Sequence, residues 1–192
     1  MPARNQAALD FLLSRRSVPA KALTGPVPDR AELETILTAA ARTPDHGAVV
    51  PYRFIVLKRA GIERVIEGII EAGARLGVGD EKIAKPMPHY ENAELAVVVV
   101  DRSSPEASVP VAEQVYTAGA VCLSLLNAAL ASGWGANWLS GWFSHDPTFC
   151  QTVLGMAEGE RVAGIIHIGT PRVEPSDRPR PDLAAITKWI SE

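Results

Sequence analysis

Arg15, Arg16 and Ser17 are the first side chains along the sequence whose types and spacing suggest chemistry. Two guanidinium groups beside a hydroxyl can hold a phosphate or carboxylate from several directions. The arginines would equally suit the last turn of an amphipathic helix with Phe11 and Leu12 on its apolar stripe, because positive charge is favourable at that helix end. Taken alone, these three residues favour a solvated helix end. The rest of the chain must decide between that interpretation and an anion site.

Two further pairs of basic side chains lie far from the first group in sequence. Arg42 precedes His46 by about one helical turn in the loop RTPDHG, and loops on a rigid scaffold often carry binding groups. A plain Asp-His-Gly turn beside a surface arginine is the simpler interpretation. Arg178 and Arg180 lie in a proline-rich tail, where by themselves they would be a solvated linker.

The segment GWGANWLSGWF at 133–143 carries three tryptophans among small residues. Small residues let the backbone approach a ligand closely, and indoles offer flat apolar walls, so the segment suits a planar aromatic ligand. A core strand with packed tryptophans is the alternative. His89 and His145 are expected at the surface and His167 in the core, with its polar atoms satisfied. Phosphate-binding glycine loops, the G-x-S-x-G elbow and the H-E-x-x-H zinc motif do not occur in the sequence.

Length and composition limit the function classes. The chain has 192 residues, a net charge of -3 and a pI of about 5.8, so no global field attracts it to nucleic acid or anionic lipid. The longest strongly apolar run, Leu95 to Val100, is far shorter than the roughly 20 residues of a membrane helix. Cys122 and Cys150 resemble reduced core thiols, and the first residues lack a signal-peptide pattern. We expect one cytoplasmic domain over residues 1–192, with no nucleic acid or membrane partner.

Helical and strand patterns alternate along the whole chain. Asp29 and Glu32 form a predicted capping box for a helix that runs to Arg42, and a continuous apolar strand over 95–101 indicates burial on both faces. Other strands are predicted over 53–58, 136–139 and 162–169, and a long buried helix over 111–132. This order predicts an α+β fold, a three-layer α-β-α sandwich with a central mixed sheet.

These features occur together in an order that resembles the FMN-dependent nitroreductase family, and most closely its short bacterial NAD(P)H nitroreductases. The resemblance covers nearly the whole chain. It is carried by R-R-S after a first helix, a P-D-H loop after the second, a strand start P-[WY]-x-F, a buried helix that runs into Gly-Trp-Gly, and a final G-x-P followed by arginines. No single motif establishes it, but the ordered set is specific.

The resemblance implies a homodimer that binds FMN at the subunit interface, with each flavin contacted by both chains. It implies an oxidoreductase in which NAD(P)H delivers hydride to flavin N5 and leaves, before an electron-poor acceptor such as a nitroaromatic or a quinone takes the electrons. No catalytic side chain is required, and no metal. The cofactor-binding residues that it implies are Arg15, Arg16, Ser17, Arg42, His46, Trp138, Leu139, Ser140, Arg178 and Arg180. Lys21 is a further candidate, for charge near flavin N1 and O2.

Two departures from the family pattern concern the substrate. Val50 stands where many relatives have glutamine, and Tyr52 stands where they have tryptophan. Two alternatives to a nitroreductase remain open at this point. One is a flavin-family enzyme with different chemistry, either a dehydrogenase or a flavin-consuming enzyme, and the other is a non-catalytic flavin-binding dimer.

Overall fold

A five-stranded sheet organises the computed structural model, which describes residues 3–191. The strands are β1 (Leu23–Thr24), β2 (Tyr52–Lys58), β3 (Leu95–Asp101), β4 (Gly135–Leu139) and β5 (Arg161–Pro171). Their order in the sheet is β1-β5-β3-β2, and β4 also pairs with β5.

The direction of the strands differs from the expectation. Every strand pairing within the described residues is antiparallel, so the prediction of a mixed sheet was wrong. Alternating helices and strands do not fix strand direction, because an additional helical segment in a connection can return the chain to the other end of the sheet. Between β2 and β3 the chain adds the short helix Asp80–Ala84 and the turn Met87–His89 to the long helix Arg59–Leu76, and β3 runs antiparallel to β2.

Helices cover both faces of the sheet, which confirms the three-layer α+β sandwich. The helices are α1 (Gln6–Ser14), α2 (Arg30–Ala40), α3 (Arg59–Leu76), α4 (Asp80–Ala84), α5 (Val111–Ala131), α6 (Pro147–Thr152) and α7 (Leu183–Ile186). Alternate β3 residues face opposite layers: Val98 packs in the cluster that contains α3, whereas Val97 and Val99 pack in the cluster that contains α2 and α5.

Several local predictions are confirmed. The Asp29 side chain accepts from the Glu32 amide while the Glu32 side chain accepts from the Asp29 amide, so the capping box starts α2. All seven residues of β3 are buried. Helix α5 is long and apolar enough to span a membrane by length and composition alone, but it packs against the sheet and α2 as a core helix. Both cysteines are free and buried.

The first helix ends earlier than expected. Helix α1 stops at Ser14, and Arg15 has an extended backbone with ψ 139°. Arg15 is therefore the residue that caps α1 and Arg16 lies beyond it, so the prediction that both arginines lie in the last helical turn was wrong. The helix ends here because the segment that follows it makes tertiary contacts with the sheet. The Val18 amide donates to the carbonyl of Ala136 in β4.

Candidate active site

A positively charged cavity of about 940 Å³ lies where the chain leaves α1, beside the proline-rich tail. We call it the cationic cavity. Residues from four separate stretches of sequence line it, and no carboxylate occurs among its described lining residues. Its side chains come from Arg15, Arg16, Ser17, Pro19, Ala20, Lys21, His89, Asn137, Leu139, Pro175, Ser176, Arg178, Pro179, Arg180 and Pro181.

Arg15 is a half-buried cation of the cavity. One terminal nitrogen of its guanidinium donates to the Ser17 hydroxyl at 3.1 Å, while Nε is buried and has no hydrogen-bond partner in the described part of the chain. Burial lowers the pKa of Arg15, and repulsion from Arg16 and Arg180 lowers it further. A guanidinium with an unused buried donor and two cationic neighbours is electrostatically suited to an anion.

The tail is connected to the first arginines by a carboxylate outside the cavity lining. Arg16 Nε donates to the Ser176 carbonyl at 3.1 Å and lies 4.0 Å from Asp177 Oδ1. The same Asp177 oxygen accepts from Arg180 at 2.9 Å. The Arg178 amide hydrogen bond, followed by the nearby arginines, lowers the pKa of Asp177. These contacts hold the tail against the residues that follow α1, although more than 150 positions separate the two in sequence.

A smaller pocket of about 340 Å³ adjoins the cationic cavity. The two share His89 and Leu139 as walls, and Ser140 lies in the smaller one. Aromatic and apolar side chains dominate its lining, with two lysines at the side of α4. Its other residues are Lys82, Lys85, Pro86, Tyr90, Gly141, Trp142 and Phe143. A partly apolar pocket beside a cationic one suits a ligand with an apolar planar head and an anionic tail.

His89 is a site residue that sequence reasoning missed. It was expected at the surface, but it is half-buried, and its Nδ1 is fully enclosed without a hydrogen-bond partner among the described residues. The only signal in the sequence was the turn M-P-H-Y between α4 and β3. That turn indicates a loop without indicating where the loop packs. Burial and the nearby Lys21 lower the pKa of His89.

Arg42 and His46 do not enter the cationic cavity of the same chain. His46 is exposed, and its Nδ1 lies 2.5 Å from Glu113 Oε2 at the start of α5. The loop between α2 and β2 is unusual, because Ala48 and Val50 both have positive φ angles, of 51° and 50°. The Val50 amide donates to Asp45 at 2.6 Å, which helps to hold this strained backbone.

Trp138 also lies apart from the cavity. Side chains alternate along β4, so Asn137 and Leu139 face the cationic cavity while Trp138 faces the other way. Its indole lies across Gly164 of β5, where a Cβ atom would overlap the ring. Of the ten predicted cofactor residues, six line the cavity, Ser140 lines the adjoining pocket, and Arg42, His46 and Trp138 line neither.

The two positions that depart from the family pattern have different environments. Tyr52 is buried, and its hydroxyl lies 3.4 Å from the Ala41 carbonyl at the end of α2. Val50 is exposed in the strained loop. Of the two side chains, Val50 is therefore the one that is open to solvent.

His167 is buried as expected, but its polar atoms are not satisfied. Neither ring nitrogen has a hydrogen-bond partner within residues 3–191, and the imidazole packs edge-on against Tyr90 with 4.9 Å between ring centroids. Burial lowers the pKa of His167 to about 4, so the ring is neutral near pH 7. The expectation of a satisfied core histidine was wrong in this respect, because the ring packs against the aromatic ring of Tyr90 and not against a hydrogen-bonding group.

Comparisons of the sequence and of the structure with known proteins agree on one family. The sequence matches the profile of the Nitroreductase family over residues 12–170. It is 34% identical over 170 residues to the protein named "Putative NAD(P)H nitroreductase YdjA" of Escherichia coli K12, which covers 88% of this chain and 91% of that protein. The crystal structure of a nitroreductase-like family protein from Bacillus cereus superposes with a TM-score of 0.82 at 21% identity, covering 100% of both chains. A Desulfovibrio desulfuricans structure described as a nitroreductase in complex with FMN superposes with a TM-score of 0.72 at 20% identity, covering 98% of both chains. The chain therefore belongs to the nitroreductase family.

Proposed function

We propose that the protein is an FMN-dependent NAD(P)H oxidoreductase that reduces nitroaromatic, quinone or similar electron-poor acceptors. The single observation that carries the proposal is the convergence of Arg15, Arg16, Arg178 and Arg180 on one cavity that has no carboxylate among its described lining residues. Family membership and the names of the relatives support the same activity. Free buried cysteines suit a reducing cytoplasm.

The residues present fit a flavin mononucleotide. The buried, unpartnered Nε of Arg15 and the Ser17 hydroxyl would hold the single phosphate, with Arg16 and Arg180 completing the charge. Leu139 forms the shared wall of the two cavities, so the ring system would lie from the cationic cavity toward the adjoining pocket. Lys21 would supply positive charge near the ring.

The chemistry belongs to the cofactor, and the protein positions it. FMN, when bound, would supply hydride transfer through its N5 between NAD(P)H and the acceptor, in a ping-pong scheme. The arginines anchor the tail, Leu139 and Ser140 limit the position of the ring, and Lys21 favours negative charge nearby. No nucleophilic side chain is needed.

We also propose a homodimer, because one chain does not bring all the predicted cofactor residues together. Arg42 and His46 lie away from the cationic cavity of their own chain, and each subunit would offer them to the flavin of the other. Apolar side chains that are exposed on α1 and on the C-terminal segment support this assembly. They include Leu12, Leu13, Leu183, Ile186, Trp189 and Ile190.

Purified protein tests the proposal directly. We expect a yellow dimer with one FMN per chain, measured by the absorbance of flavin released on denaturation and by light scattering. Under anaerobic conditions NAD(P)H should bleach the flavin, and nitroaromatics and quinones should restore its colour. Protein that remains colourless after addition of FMN would exclude the enzyme, and bleached flavin that no acceptor reoxidises would indicate different flavin chemistry.

Neighbouring positions on β4 test where the ring lies. We expect Leu139→Ala to shift the visible absorption of bound FMN, because Leu139 is a wall of both cavities. Trp138→Ala should shift it less, since that side chain faces Gly164 on the opposite side of the strand. Equal shifts in both variants would refute the placement of the ring against Leu139.

A further inference from the structure

His89 lies at the junction of the cationic cavity and the adjoining pocket. It ends the turn Met87–His89 and lines both spaces. Because Nδ1 is enclosed by protein, a contact between the imidazole nitrogens and either space would be made through Nε2. Nε2 is therefore the ring nitrogen that could donate to a ligand held in these two spaces.

The charges around His89 disfavour an imidazolium. Lys21 faces it from the turn after α1, and Lys82 and Lys85 line the adjoining pocket from the side of α4. Tyr90 and the neutral His167 lie on the core side, and the arginines of the cationic cavity are all positive. The described residues that line the two spaces include no carboxylate that could stabilise a protonated ring.

The enclosed Nδ1 of His89 is a second reason why the imidazolium is unfavourable. Protonation of both ring nitrogens would place an N–H donor at Nδ1, where no acceptor is present among the described residues. An unsatisfied buried donor is costly. The neutral tautomer with hydrogen on Nε2 avoids that donor and presents an N–H to the cavities.

We propose that His89 is a neutral hydrogen-bond donor that positions the flavin ring, with Nε2–H donating to a carbonyl oxygen of the ring's pyrimidine edge. The proposal rests on the proposed function, because it requires FMN in these two spaces. His89 orients the ring through this hydrogen bond, and Lys21 supplies positive charge beside it. The role differs from that of the arginines, which hold the anionic tail.

The test compares His89→Leu, which removes the donor, with His89→Gln, which keeps an N–H donor but cannot titrate in this range. His145→Leu is the matched control, because His145 is exposed and lies outside both spaces. We expect His89→Leu to weaken FMN binding about 2- to 10-fold, the scale of one neutral hydrogen bond. His89→Gln should restore most of the affinity, and His145→Leu should leave it unchanged. FMN fluorescence quenching measures the dissociation constant without any turnover.

Two further measurements separate a neutral donor from a cation. Nitrogen NMR of the FMN-bound wild-type protein at pH 7 should show His89 as the neutral Nε2–H tautomer. The pH dependence of FMN affinity between pH 6 and 8 should be the same in wild type and His89→Gln. Affinity that rises with acid only in wild type, or an NMR signal of the imidazolium, would overturn the neutral assignment.

The outcomes distinguish this inference from the proposed function. If wild-type protein takes up no FMN, the proposed function itself fails. If wild type binds FMN and His89→Leu binds it equally well, only the role of His89 is refuted.

Discussion

Replacing Arg15 with alanine is expected to weaken FMN binding about 10- to 150-fold, which corresponds to about 1.5–3 kcal/mol for hydrogen bonds to a charged group. Arg15 has the buried, unused Nε and a second nitrogen fixed by Ser17, so it is preorganised for a phosphate. Equilibrium titration with FMN, followed by fluorescence, measures the change.

The same substitution should not destabilise the protein without FMN. Burial and repulsion from Arg16 and Arg180 already lower the pKa of Arg15, so its removal relieves an unfavourable cluster. We expect the melting temperature of the flavin-free protein to stay equal or to rise. Arg30→Ala is the matched control, since Arg30 is exposed on α2 and pairs with Glu34 away from the cavity. Unchanged FMN affinity in Arg15→Ala would refute the phosphate assignment, and an equal loss in Arg30→Ala would show that the effect is not local.

Acid is expected to destabilise the fold through His167. The pKa of His167 is lowered by burial to about 4, whereas an unfolded histidine has a pKa of about 6.5. The folded state therefore favours the neutral ring. The stability that this contributes is fully present above pH 6.5 and is lost as the pH falls toward 4. Linkage gives a loss of about 2–3 kcal/mol between pH 7 and pH 4.5.

Comparison with His167→Phe isolates this contribution. Other groups also respond to acid, notably Glu160, whose pKa is lowered chiefly by its hydrogen bonds with Arg53. The quantity to compare is therefore the change in unfolding free energy between pH 7 and pH 4.5, from urea titrations, in wild type and variant. We expect the change to be smaller in His167→Phe by about 2–3 kcal/mol. Equal changes would mean that His167 already carries a proton in the folded state or contacts water.

The local elements were predictable because their causes are local. The capping box of α2 uses side chains three positions apart, and the apolar run of β3 forces burial wherever the strand lies. Strand direction was not predictable in the same way. It depends on where α4 and the turn after it return the chain, which is a property of packing.

The same distinction between local and long-range causes applies to the candidate site. The sequence by itself determined that two guanidinium groups and a hydroxyl able to hold an anion lie together at Arg15, Arg16 and Ser17 and, through an ordered set of motifs, that the chain resembles nitroreductases. Only the tertiary structure decided that these three residues follow α1 and line the same cavity as Arg180. That arrangement depends on contacts between residues more than 150 positions apart, which no local pattern encodes.

His89 and Trp138 show most clearly what the sequence could not predict. The sequence indicated a turn that contains the histidine and a strand that contains the tryptophan, but it did not indicate the direction in which either side chain points. Packing of the turn against two cavities enclosed Nδ1 of His89, and alternation along β4 turned Trp138 toward Gly164. Residue types therefore specified which chemistry was available, and the fold decided which side chains could act together, because long-range packing alone fixes distance and orientation.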